Sequence, residues 1–537
     1  MDMDNAWENF LEAIAALLSK ALTDKETEKV IAGFSNFQQR LQRLSSHNLQ
    51  RLNLEITQSN KRVSRCKHEG KTCSQNVTRG FLKTWMIAYL VKYAIGVLPA
   101  LLKGKVFKNP SILRKGGGSD TVGFAFFLSS FLSAYKLVLC TMRYYRPDHE
   151  GDRLNAFVAG SVAGLTLFLD KNKSRRTALT LYLFTRSIQF GSSYAMKKWA
   201  EHRNAKRTNQ RLALRDAVDD EALSLSSDTK KTQALVTKSG WDDILAKCMS
   251  ASAATALMSL TASVNLYACV IEPDAMPKSY YTFIMQHSGL PQKFGPMFDP
   301  LVTTFRSQFE LLKKSTGGFE NIGIPKGVSS RDFIAENISP NIATVFPADV
   351  HHDYQCCALL HPLYPCHRHA VDTLTGEFGR AVKMYGTLNA IVTLVFQHKR
   401  IVSDPKESAY RYFKSTVRSC VFLAVYVLAA FYMPCWLRRI TQRESNWNYL
   451  LNGIVSGLAV LIEAPGRQME LALYCLPRAL ETTWRLMLKR GLVRNIKNGD
   501  IALFSASMGV MMTLYQNDPS VINKHYLTVF TRVFGRN

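Results

Sequence analysis

Uncharged runs long enough to cross a bilayer recur along the chain, and the stretches between them are crowded with lysine and arginine. A helix rises about 1.5 Å per residue, so roughly twenty apolar residues, and no fewer than about seventeen, cover the hydrocarbon core. Residues 419–437 carry no charge and end in Arg438 and Arg439, and residues 248–271 are uncharged and rich in alanine, serine and threonine. Residues 501–517 and 446–462 are just long enough, and 121–142 is interrupted only by Lys136, whose aliphatic stem can snorkel. Residues 81–102, 177–196 and 471–487 are also largely apolar but contain Lys83 and Lys92, Arg186, and Arg478 and Arg485. A cation at that depth needs a partner or a cavity, so these segments are predicted as interfacial or inner, polar-lined helices. A soluble core would have to hide five or more such helices behind short basic connections; the pattern predicts spans instead.

The pattern also repeats. His68 and Cys73 are spaced H-x4-C, and so, at a constant offset, are His361 and Cys366. The same offset relates Gly160 and Gly164 to Gly453 and Gly457, Leu165 to Leu458, and Asp170 to Glu463. After a one-residue gap, Arg175, Leu179, Leu181, Tyr182 and Arg186 match Arg467, Leu471, Leu473, Tyr474 and Arg478. Further on, Lys238 and Gly240 correspond to Lys497 and Gly499, and Lys278, Tyr280 and Thr282 to Lys524, Tyr526 and Thr528. A register held at turns and helix faces over such a length predicts an internal duplication. The expected fold is all-α: a polytopic membrane helical bundle built from two tandem homologous repeats. Residues 1–62 read as a soluble helical region, 63–286 as repeat one, 287–350 as a proline- and glycine-containing linker with little regular helix, and 351–537 as repeat two. Residues 199–235 form a charged insertion in repeat one, expected to be a solvated linker. The basic loops give neither side a clear excess, so the positive-inside rule assigns no orientation.

Composition narrows the partners. Lys and Arg number 68 against 41 Asp and Glu, a net charge of +27, while 47% of residues are hydrophobic. That is too apolar for a disordered basic tail. The cations lie between apolar runs rather than along one soluble face, so the lipid bilayer and its anionic lipids are the expected partners, not nucleic acid. A mean hydropathy of −0.07 averages apolar runs with basic loops. Eleven cysteines in a chain this long are no secreted disulfide scaffold. The first residues lack a basic and then apolar pattern, so no cleavable signal peptide is expected, and the Asn76-Val77-Thr78 sequon is expected to be unused.

Four candidate features remain. Gly160 with Gly164, and Gly453 with Gly457, place two glycines on one helix face, as close helix packing in lipid requires. Arg186 and Arg478 each follow a tyrosine by four residues, and could pair with Asp170 or Glu463 or receive an anionic lipid head group. Cys66, His68 and Cys73 form one cysteine/histidine cluster. Cys357, His361 and Cys366 belong to a second, with His351, His352, Cys356, His367 and His369 nearby. A tetrahedral metal site wants four N/S ligands, and the first cluster offers three. A compact non-metal segment is the alternative reading, and no cofactor is assigned. No phosphate-binding loop, dinucleotide fingerprint, nucleophile elbow or paired-carboxylate pattern occurs, so an enzyme is not expected, a metal-dependent membrane enzyme being the alternative.

Several segments resemble the transmembrane protein 135 family. Asn109-Pro-Ser-Ile-Leu, then 124–143 and Ala156-Phe-Val-Ala-Gly-Ser-Val-Ala-Gly-Leu resemble its second half. Cys66-Lys-His68 with Cys73 is similar to its cysteine-rich segment, and Pro277-Lys-Ser-Tyr280 to a later motif. In 361–537, the stretch from His361 to Cys366, that from Glu377 to Tyr385 and Lys497-x-Gly499 resemble the other half. The order of halves is reversed here, 1–62 has no counterpart, and the linkers are longer. The resemblance implies an integral membrane protein of mitochondria and peroxisomes, associated with mitochondrial fission, organelle dynamics and lipid handling, without an established enzymatic activity. Organelle-dynamics proteins would be partners. A fainter likeness to the mitochondrial inner-membrane translocase family lies in the Gly-x3-Gly helices and basic turns. Lipid translocation and protein translocation are the alternative functions.

Overall fold

The chain divides into two compact units, Met1–Lys67 and His68–Asn537. The computed structural model describes residues 73–102, 108–146, 153–221, 241–315 and 322–534, all in the second unit. The expected N-terminal region 1–62, with Cys66 and His68, lies outside the described residues. The described residues are almost entirely helical, with an isolated antiparallel bridge between Gly323 and Tyr354.

Fifteen helices carry the architecture: α1 (Cys73–Leu102), α2 (Ser119–Tyr145), α3 (Arg153–Gly164), α4 (Lys173–Glu221), α5 (Trp241–Ile271), α6 (Lys278–Ser288), α7 (Phe298–Ser315), α8 (Ser330–Asn337), α9 (Gln355–Leu360), α10 (Cys366–Phe396), α11 (Pro405–Thr441), α12 (Asn446–Gly457), α13 (Pro465–Lys489), α14 (Gly499–Asn517) and α15 (Lys524–Phe534). Local chemistry sets several boundaries. Asp404 caps α11 by accepting from the Glu407 backbone N–H, with Pro405 at the first helical position. Ser445 accepts from the Trp447 N–H at the start of α12, and Ser329 from Asp332 at the start of α8. Both glycine helices tighten into 3-10 turns, Leu165–Leu169 after α3 and Leu458–Ile462 after α12, which end at Asp170 and Glu463.

Among the described residues, three helices are long and apolar enough to cross a membrane: Ser111–Tyr145, Ser252–Ile271 and Pro405–Thr441, with Arg153–Leu169 a shorter apolar helix. Only 33% of the most apolar window of Pro405–Thr441 is buried, so its apolar surface is mostly turned outward. Leu82, Leu90 and Ile95 of α1 and Leu388, Ile391 and Leu394 of α10 are likewise exposed. The expected run 446–462 is α12 continued by its 3-10 turn. The run 501–517 is helical in α14, with Met508, Met511 and Met512 buried among neighbouring helices.

The helices gather into two sets. In one, α1, α2, α3 and the first half of α4 pack with α14 and α15, around Phe127, Phe131, Leu167, Phe190, Phe504 and Met512. In the other, α10 to α13 pack with α5, around Met258, Phe422, Val460 and Ala472. Thus α5 sits against the helices that follow it by nearly two hundred residues, and α14 against those that open the unit.

Two expectations change here. The charged stretch 199–235, expected as a linker, continues α4 as helix to Glu221. The stretch 287–350, expected to hold little helix, contains α7, whose Phe298, Leu301, Phe305, Phe309 and Leu312 recur at helical spacing and are all buried in the largest core cluster. Pro291 and Pro340 lie at helix starts, where a missing N–H costs nothing.

Candidate functional site

Short α9 presents Cys357 inward, the loop after it carries His361, Cys366 opens α10, and Cys435 comes from the far end of α11. One donor atom from each of these four residues lies within 4.8 Å of the other three, and all four residues are buried. His361 Nε2 is 3.1 Å from Cys435 Sγ and 3.5 Å from Cys366 Sγ. The other ring nitrogen, Nδ1, is 3.0 Å from the Tyr364 carbonyl. A carbonyl can only accept, so Nδ1 carries a proton and Nε2 is the ring atom that faces the sulfurs.

The surroundings hold that loop in place. His352 places Nε2 3.0 Å from the Tyr364 carbonyl and 3.2 Å from the His361 carbonyl, and its Nδ1 is 2.9 Å from Ser330 Oγ. The His369 ring stacks on that of His361 at 4.5 Å. Arg438, fully buried, donates Nη1 to Cys357 Sγ at 3.5 Å, Nη2 to Glu444 at 3.0 Å and Nη2 to the Tyr449 hydroxyl at 2.8 Å, and also pairs Nε with Glu444. The sulfurs of Cys366 and Cys435 and the Arg438 charge, against the opposing effect of burial, hold the Cys357 thiol well below its ordinary value. Burial disfavours a charged His361, but the Cys357 and Cys366 sulfurs more than offset it and push the imidazole up to about 9. Burial and the neighbouring His361 push His352 down to about 4. The cluster concentrates electron-rich donors around one point and attracts positive charge.

Beside it lies an apolar cavity of about 440 Å³, within the range of ligand pockets. Its walls come from α5, α6, α7, α10, α11 and α13, and Leu359, Leu360, Phe431 and Pro434 join it to the segments carrying the cysteine cluster. The basic groups on its lining are already engaged. Arg306 donates to the Val270 carbonyl at 3.1 Å, His287 meets buried Glu377 at 2.7 Å, and Arg467 donates to Ser419 at 2.9 Å.

The residues singled out from the sequence fall into place as follows. A Cβ on Gly160 would lie 2.6 Å from the Met508 carbonyl oxygen, and one on Gly164 2.5 Å from Ser505 Cα, both on α14. On Gly453 and Gly457 it would meet Ser263 Cα and Ser259 Cα of α5 closer still. These are backbone atoms, so the glycines permit the crossings. Serines add cross-helix bonds there: Ser263 Oγ to the Leu450 carbonyl at 2.7 Å and Ser259 Oγ to that of Ile454 at 3.0 Å. Arg186 does not pair with Asp170 or Glu463; it reaches Glu470 at 2.8 Å, because α4 lies against α13 and turns it away from the 3-10 turn. Asp170 instead holds Arg175 at 2.6 Å, and Glu463 accepts from Ser419 at 2.5 Å. Arg478 is half-buried, and no carboxylate among the described residues pairs with it. Lys92 finds Asp120 at 3.2 Å, the partner its depth requires.

Of the metal candidates, Cys357, His361 and Cys366 converge. Cys73 opens α1 and is not in their cluster, and Cys66 and His68 are outside the described residues. His351 bonds the Val328 carbonyl and Cys356 is buried in the main apolar core, so neither joins. The fourth donor, Cys435, was concealed within an uncharged run that reads as a span; a cysteine two residues before its basic end was the one available signal. No protein-family model matches this chain, and no solved structure does.

Proposed function

We propose that this chain is a multi-spanning membrane protein without chemistry of its own, which holds a lipid acyl chain in the cavity among α5, α6, α7, α10, α11 and α13. The observation that carries this reading is the lining of that cavity: aliphatic and aromatic side chains dominate it, and its basic groups are spent on protein partners. Such walls offer a ligand little except burial of hydrocarbon, worth about 0.8 kcal/mol per CH₂. Outward-facing Leu, Ile and Phe on the long helices support lipid as the surrounding solvent, since water would penalise so large an apolar surface.

The reading includes the duplication. The order helix, long helix, glycine helix, 3-10 turn ending at a carboxylate, helix, and final span occurs in α1–α5 and again in α10–α14. Each final span packs on the other copy's glycine helix, α5 on α12 and α14 on α3. These correspondences support two tandem copies that exchange their last spans. The resemblance quoted from 109–113, 156–165 and 361–366 supports placing the protein in mitochondrial or peroxisomal membranes, as a regulator of organelle dynamics and lipid homeostasis with anionic lipids and organelle-dynamics proteins as partners. Lipid translocation is the second reading. It is favoured by Arg186, buried at the α4–α13 contact between the two sets of helices with its Nε unbonded.

Native mass spectrometry of the full chain in mild detergent tests the first reading: co-purifying lipid is expected, and Ile284→Trp or Leu471→Trp, which fill the cavity, are expected to remove it while the unfolding midpoint holds. Lipid retained undiminished in both variants overturns the reading. Imaging a tagged chain against mitochondrial and peroxisomal markers tests the location, and vesicle flux with Arg186→Leu tests translocation.

A further inference from the structure

We propose that Cys357, His361, Cys366 and Cys435 bind one Zn²⁺ ion in a closed, tetrahedral, structural centre that clasps the start of α10 to the end of α11. The donor set comes first. Three sulfurs and one imidazole nitrogen are the soft and borderline ligands that select zinc over magnesium or calcium. With Zn–S near 2.3 Å and Zn–N near 2.05 Å, a regular tetrahedron has S···N edges of about 3.5 Å and S···S edges of about 3.8 Å. The observed Nε2···Sγ separations of 3.1 and 3.5 Å, and the 4.8 Å limit on every donor pair, match a site of that size.

Three further observations point to a metal rather than to packing alone. First, His361 is oriented as a zinc ligand: Nδ1–H is committed to the Tyr364 carbonyl, so Nε2 faces the sulfurs as the atom that would bind a metal in place of a proton. Second, Arg438 supplies an outer-shell hydrogen bond to Cys357 Sγ. Three thiolates and a dication leave one net negative charge, which that donated N–H stabilises, the guanidinium's own charge being paired with Glu444. Third, the residues that frame the donors act on the frame only: His352 bonds two carbonyls of the ligand loop, and His369 packs flat on the His361 ring.

The geometry also decides the role. All four ligands are protein side chains and all are buried, so no coordination position is left for water or substrate, as a catalytic zinc would need. What the ion joins is long-range. Cys357, His361 and Cys366 lie within ten residues of one another, but Cys435 comes 69 residues after Cys366, near the far end of α11, four residues after Phe431 and next to Pro434 of the cavity wall. The clasp therefore fixes the ends of α10 and α11 at one edge of the cavity. It stands independently of whether that cavity holds lipid.

The test is metal content of the full-length chain, purified in detergent under reducing conditions without chelator. One zinc per chain is expected. Cys435→Ser is expected to lower zinc affinity by more than the ten- to hundredfold that loss of an outer-shell partner costs, and Cys140→Ser, in the other set of helices, to leave one zinc bound. Should Cys435→Ser fail to fold, cobalt substitution of the unaltered chain decides: intense tetrahedral d–d bands with thiolate-to-cobalt charge transfer are expected. Wild-type protein with no stoichiometric zinc after zinc supplementation, with another metal in its place, or with a cobalt spectrum lacking thiolate charge transfer overturns the proposal, as does undiminished zinc affinity in folded Cys435→Ser.

Discussion

Gly457→Ala separates the crossing of α12 on α5 from every other contribution of the helix. An added Cβ there would overlap Ser259 Cα, Ser259 N and Ser259 Oγ, and the first two are backbone atoms that no rotamer change can move. The helices must part. Overpacking of this kind costs about 1–3 kcal/mol. Parting also stretches the serine bonds to the Ile454 and Leu450 carbonyls, which are worth about 0.6 kcal/mol each across membrane helices. Against this, alanine favours a helix over glycine by about 1 kcal/mol, so the expected net loss is about 1–3 kcal/mol. Gly379→Ala is the matched control: it is helical and exposed, with nothing within 4 Å of an added Cβ, so only the favourable propensity term acts. The assay is the thermal midpoint in detergent, read by a thiol-reactive dye, since Cys140, Cys269 and Cys420 are buried and become reactive on unfolding. Gly457→Ala is expected to lower the midpoint by several degrees and Gly379→Ala to hold or raise it. Equal effects from the two substitutions would refute the close crossing.

Glu444→Leu strands a buried guanidinium and is expected to cost about 3–5 kcal/mol in the same assay, with much of that loss recovered in the double variant Arg438→Met/Glu444→Leu. Tyr449→Phe removes hydroxyl bonds to both members of that pair, each 2.8 Å long, and is expected to cost about 1–3 kcal/mol. Burial raises the Glu272 carboxyl, but Lys489 at 3.0 Å and Arg490 at 3.3 Å pull it below its ordinary 4.5. Because the folded value is the depressed one, this contact contributes stability above that ordinary value and loses it as pH falls further. The contribution is at most about 1 kcal/mol, since both cations are more than half exposed. Glu272→Gln should therefore flatten that part of a stability-versus-pH curve.

The helical class and the long apolar runs were legible because a period and an absence of charge are properties of single segments. The glycine pairs were legible as packing faces for the same reason, but not the helices they face. Gly457 lies nearly two hundred residues after Ser259, and the pattern within a span says nothing about which distant span covers it. Arg186 illustrates the same gap: its depth demands an acid, and the choice of Glu470 over Asp170 follows only from α4 lying on α13. The phenylalanine stripe of α7 was masked by the prolines and glycines on either side of it. Three donors of the cysteine cluster were visible because they are near neighbours in sequence, whereas Cys435 is brought to them by tertiary structure alone.

Alkaline carbonate extraction of membranes from cells expressing the full chain tests most directly whether lipid surrounds these helices. Retention in the pellet, with release only by detergent, is the predicted result. Recovery in the aqueous supernatant would contradict it, and would leave the exposed apolar faces of α1, α10 and α11 without the solvent this account gives them.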